Sequence, residues 1–142
     1  MCIRDSPEPI KERAMARALS RFHDTRIEPL LRAYFGHVVP AKRNADFVAE
    51  NAALLQRRFR QLAEIRMPSP LLTGTSLSLA DCGFVPSFAI LDCVQGLLGF
   101  DLTLPASIIA YRAALCAHPS IRDEYAAYVK ALDEWAAAKM VG

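Results

Sequence analysis

Leu72-Thr73-Gly74-Thr75-Ser76-Leu77-Ser78-Leu79-Ala80-Asp81, followed by the apolar run Cys82 to Leu98, is the stretch that decides the fold. Ser78-Leu79-Ala80-Asp81 has the form of a capping box. In such a box the Ser hydroxyl accepts from the backbone N–H of the acid three residues on, and that acid reaches back to the N–H of the Ser. Leu77 and Cys82 stand where a hydrophobic staple clasps the first turn. From there to Leu98 only Asp92 and Gln95 are strongly polar, and a helix without a polar face is a buried helix. The pattern predicts a central rod from Ser78 to Leu98 with Val85, Ile90 and Val94 out of water. On this reading Asp81→Ala costs the upper end of the roughly 0.5–2 kcal/mol that a lost cap costs.

The rest of the chain reads as helices arranged around that rod. From Pro7, residues Ile10, Ala14, Ala18 and Phe22 step by four, and the pattern continues through Ile27, Leu30, Leu31 and Tyr34. Pro29 interrupts it. An interior Pro removes one backbone hydrogen bond and crowds the preceding turn, so a kink is expected near Thr25–Pro29. A second helix is expected from Ala41 to Arg66, carrying Val48, Ala52, Leu55, Phe59 and Leu62 as one stripe. The short link between the two predicts an antiparallel hairpin. Pro105 opens a fourth helix marked by Ile108, Ile109, Arg112 and Leu115. Ser120-Ile121-Arg122-Asp123 reads as a second capping box before a fifth helix with Tyr125, Tyr128, Leu132 and Trp135 on one side. There is no internal repeat and no strand pair with turn chemistry. The fold class is all-α, about five helices around a buried central one.

Composition sets the outer bounds. With 142 residues, 53% hydrophobic and 23% charged, the chain suits one domain with a core of its own. The formal net charge of +2 does not argue for nucleic acid or a membrane surface. Residues 1–70 hold 13 Lys and Arg against 8 Asp and Glu, and the remainder holds 4 against 7, so the first half is the basic one. No uncharged apolar run reaches the roughly 18 residues of a membrane span, and no signal peptide precedes the first helix. Cys2, Cys82, Cys93 and Cys116 show no CxxC pairing, which fits a reducing cytoplasm. Residues 1–7 lack periodicity and read as the edge of a truncated gene, leaving residues 8–140 as the domain.

The helix order resembles the C-terminal domain of the cytosolic glutathione transferases over about residues 10–138. The segment Leu72 to Asp81 is similar to the family's L-x-G…S-x-A-D pattern. Pro86 one turn into the rod, His118-Pro119 after the fourth helix and Trp135 in the last helix match as well. The resemblance implies a glutathione transferase that conjugates glutathione, its co-substrate, to electrophiles. It also implies an N-terminal thioredoxin-like domain that holds the glutathione thiol and is missing from this chain. This chain then supplies the apolar wall for the electrophile and a homodimer face on its first two helices, and by itself holds no catalytic residue. By position it assigns electrophile binding to Phe22, Asp24, Thr25 and Ile90, with Ser78 and Asp81 as the structural capping box. Domains of this fold also serve as non-catalytic protein–protein modules in translation complexes, which is the alternative function.

The residues carry a plainer reading beside this one. Phe22 and Ile90 suit core positions, and Asp24 a solvated or helix-pairing carboxylate. The three helical cysteines read as small core hydrophobes. His23, His37 and His118 are too far apart for metal-ligand spacing and are expected at surfaces or helix ends, so no metal is expected. Asp92 reads as a buried carboxylate in need of a partner, Arg112 or Tyr111. The Arg-rich faces of the first two helices lack interleaved aromatics and suit a dimer surface better than nucleic acid.

Overall fold

Alternating rows of apolar side chains at helical spacing give five helical rods in the computed structural model, which describes residues 9–141. The leader assigned to residues 1–7 lies outside the described residues. The first rod comprises α1 (Ile10–Phe22), a π-helical segment (His23–Ile27), α2 (Glu28–Ala33) and a 3-10 turn (Tyr34–His37). After a second 3-10 turn (Pro40–Lys42) come α3 (Ala45–Ile65), the single turn α4 (Leu79–Cys82), α5 (Phe84–Leu98), α6 (Ala106–Cys116) and α7 (Arg122–Met140). Among the described residues the only strand-like pairing is one bridge between Leu71 and Gly74.

Where a kink is expected, the first rod runs as a π-helical segment. Pro29 has no N–H to offer the Thr25 carbonyl, and the chain widens there by one residue instead of breaking. The second helix begins later than its composition suggests. Asn44, not Ala41, is its cap, accepting from the Phe47 N–H at 3.0 Å. Its stripe of Val48, Ala52, Leu55, Phe59 and Leu62 is buried as the spacing requires. Asn51 donates to the Leu30 carbonyl at 2.8 Å, and the Arg66 guanidinium reaches Glu12 at 2.9 Å. Early residues of one rod thus meet late residues of the other, which is antiparallel packing. Arg66 also donates through Nε to the Leu72 carbonyl at 2.7 Å, tying α1, α3 and the loop before α4 at one point.

The central rod is divided. Pro86 cannot donate to the Cys82 carbonyl four residues back, so the helix pauses at Gly83 between α4 and α5. Val94, Phe84, Phe88 and Leu91 are fully buried, whereas Val85 and Ile90 are only half-buried and Cys82 and Asp92 face water. The stretch Leu79–Leu98 is long and apolar enough to cross a membrane by length and composition. In this fold its apolar side chains form the core with Leu19, Ile27, Leu55, Phe59 and Tyr111.

On α6 the buried positions are Ile108, Tyr111 and Leu115. Ile109 is 55% exposed, so the row runs through Tyr111 and not Ile109. The second capping box does not form. Ser120 gives its N–H to His118 Nδ1 at 3.2 Å, and Asp123 pairs with its neighbour Arg122 at 2.9 Å. Ile121 then heads α7 without a side-chain cap. That helix buries no residue fully and leans mainly on α5, with Trp135 against Phe35 at 5.3 Å.

Candidate functional site

Two polar centres are built into this helical frame. The first is Asp81, with no exposed surface. Its Oδ2 accepts from the Ser78 N–H at 2.9 Å and the Ser78 hydroxyl at 3.2 Å. Its Oδ1 accepts from the Leu72 N–H at 3.2 Å and the Tyr111 hydroxyl at 3.0 Å. The Ser78 hydroxyl in turn accepts from the Ala80 N–H at 3.3 Å, completing the capping box. Gly74 (φ 118) turns the loop back so that Leu72 can face the box; this backbone region favours glycine. Burial first, then the adjacent Asp81 charge, hold the Tyr111 hydroxyl well above its ordinary pKa. Four donors on one buried carboxylate make this a structural lock joining the loop, α4 and α6.

The second centre is His23, in the π-helical segment. It is 4% exposed, contrary to the surface position expected of it. Its Nδ1 lies 2.8 Å from Asp24 Oδ1 and its Nε2 lies 2.8 Å from Ser87 Oγ on α5. Asp24 can only accept as a carboxylate, so Nδ1 donates to it, and in the neutral ring Nε2 then accepts from the Ser87 hydroxyl. The ring stands edge-on to Phe84 at 4.8 Å. It fits only because residue 83 is glycine: a Cβ there would come within 2.4 Å of His23 Nδ1.

Ser–His–Asp order invites a hydrolytic reading, and the geometry refuses it. Ser87 is 3% exposed, so an acyl carbon cannot approach its oxygen. The chain His23–Ser87 fastens the first rod to α5.

The residues assigned to electrophile binding separate on these elements. Asp24 is held by His23, and Thr25 turns its hydroxyl to the Arg21 carbonyl at 2.7 Å. Phe22 lines a groove toward α3, completed by Arg26, Arg58, Gln61, Glu64 and Ile65. Ile90 is half-buried against the core. None of Asp24, Thr25 or Ile90 lines the groove that Phe22 lines.

Asp92 does find Arg112, as its chemistry required, but 53% of its side chain is exposed, so the pair sits at the surface. Burial of Arg112 works against its charge, and Asp92 more than offsets this. The same guanidinium lies over the Phe88 ring at 5.5 Å. Of the three helical cysteines, Cys82 is exposed and gives its thiol to the Ser78 carbonyl at 3.5 Å, which corrects its assignment to the core. Cys93 and Cys116 are half-buried, and burial pushes both thiols up. Iodoacetamide at neutral pH is therefore expected to modify Cys93 and Cys116 slowly, their rates still climbing as the pH passes 9, because only the thiolate reacts. Peptide mass spectrometry across a pH series checks this, and fast labelling of either at pH 7 would contradict it. Among the described residues no group of three His, Cys, Asp or Glu side chains converges as a metal site.

No protein-family model matches the chain, and no curated protein matches it either.

Proposed function

We propose that this chain is the helical half of a glutathione transferase, forming the wall that receives the electrophile and a homodimer face on its first two rods. Its locale on this reading is the cytoplasm. The observation that supports the reading is the buried Asp81 lock. The loop Leu72–Gly74, the capping box and the apolar rod occur in the order of the resembled segment, and Asp81 physically joins all three. Activation of the glutathione thiol belongs to a thioredoxin-like domain, and nothing in the two polar centres replaces it. His23 is committed to Asp24 and Ser87, and Tyr111 to Asp81.

The chain alone is therefore expected to give no conjugation of glutathione to 1-chloro-2,4-dinitrobenzene above the uncatalysed rate. Turnover that follows the protein through purification would overturn the division of labour. A coding sequence for a thioredoxin-like domain directly upstream supports the enzyme, whereas a translation-related domain beside it favours the interaction module. Sedimentation at several protein concentrations tests the dimer face.

A further inference from the structure

Between the end of α1 and α3 runs a groove of about 480 Å³, lined by Phe22, Arg26, Arg58, Gln61, Glu64 and Ile65. Its volume lies within the range of small-molecule sites, roughly 300–1,000 Å³. Phe22 and Ile65 give it an apolar surface, with Ile65 47% exposed. Two guanidinium groups stand over it. Arg32, Arg66, Arg112 and Arg122 each have a carboxylate within ion-pair distance. Among the described residues Arg26 and Arg58 have none, in common with Arg13, Arg17, Arg21, Arg43, Arg57 and Arg60. Arg58 is half-buried and gives one N–H to Gln61 Oε1 at 2.8 Å, which holds the fork in place with its remaining donors uncommitted to any described side chain.

We propose that this groove binds a small amphiphilic carboxylate, its apolar body against Phe22 and Ile65 and its carboxylate on Arg26 and Arg58. Planar guanidinium forks match a carboxylate in two-point geometry. Glu64, the one acid in the lining, leaves the groove a single net positive charge, which attracts an anion. The inference shares Phe22 with the electrophile assignment and requires that the groove between the first two rods stay open in any dimer, but it uses neither glutathione nor Asp24, Thr25 or Ile90.

The probe is 4-phenylbutyrate, with 4-phenylbutanamide as the uncharged control, titrated at low salt by calorimetry and by amide chemical-shift mapping. Arg26→Gln and Arg58→Gln are expected to weaken the carboxylate about three- to tenfold each, and Glu64→Gln to strengthen it a few-fold. The amide is expected to bind at least about tenfold more weakly, and added salt to narrow that gap. Circular dichroism of each variant checks that the helices remain intact. Equal affinity for acid and amide, unchanged binding in the double Arg variant, no binding at millimolar probe, or shifts centred on the separate groove beside Gln56 and Thr103 would each overturn the proposal. The conjugation assay reads none of these residues, so the two tests fail independently.

Discussion

Asp81→Ala is expected to destabilise the domain by about 3–5 kcal/mol, well beyond the loss of an ordinary helix cap. The capping box accounts for only part of this. Removing the carboxylate also strands the Leu72 N–H and the Tyr111 hydroxyl, both buried, nine and thirty residues away along the chain. Each unsatisfied buried donor costs roughly 1–3 kcal/mol, and the contributions do not simply add because water can enter the space. Asp81→Asn keeps the shape but turns an amide donor toward existing donors, and is expected to fall between wild type and Ala. Tyr111→Phe removes one donor and leaves Asp81 three others, so a cost near 1 kcal/mol is expected. Because the folded state holds the Tyr111 proton above the ordinary value of 10.0, unfolding above that pH releases it, and stability falls as pH rises there. Denaturant titration with a constant slope reads all three variants. A loss below about 1 kcal/mol for Asp81→Ala would mean the carboxylate does not join the loop to α6.

Gly83→Ala is expected to cost about 2–4 kcal/mol, with the sign reversed in one background. The backbone at Gly83 is ordinary right-handed helix (φ −69, ψ −30), so alanine is at ease there by conformation and ordinarily adds stability. The cost is steric, since the new Cβ would sit 2.4 Å from His23 Nδ1 and 2.5 Å from its Cε1. The ring would have to leave its slot, abandoning Ser87 and the edge of Phe84. His23→Ala empties the slot. In that background Gly83→Ala should be neutral or stabilising by up to about 1 kcal/mol. A cost that persists unchanged without the imidazole would rule out this packing.

These two sites mark how far the sequence could be read. The Ser78–Asp81 box was legible because both partners lie within one helical turn, and so were the stripe on α3 and the interruption before Pro29. The donors from Leu72 and Tyr111 were not, since no local pattern says which distant group will be carried to a buried carboxylate. Ser120-Ile121-Arg122-Asp123 carried the same letters and formed no cap, because Arg122 beside the acid and His118 before it offered nearer partners. Asn44 is a residue type that caps helices, and its side chain, accepting from the Phe47 N–H, sets the start of α3 at Ala45 rather than Ala41. His23 had its own signal in the row Leu19, His23, Ile27, Leu31, which marks it as inward-facing. What the row could not supply was the identity of the groups across the interface, Ser87 and the missing side chain of Gly83.

That row of fours also explains why the π-helical segment sits where it does. Four residues of α-helix overshoot a full circle by about 40°, so the twelve residues from Leu19 to Leu31 would drift by about 120° and carry Leu31 out to the solvent. One surplus residue in the wide turn takes back about 100° of that drift. All four side chains are buried. The segment acts as a vernier: it keeps two stretches of helix in phase across a proline that neither stretch could absorb alone. A straight helix of the same fold would superpose on this one only with a single-residue gap between His23 and Ile27.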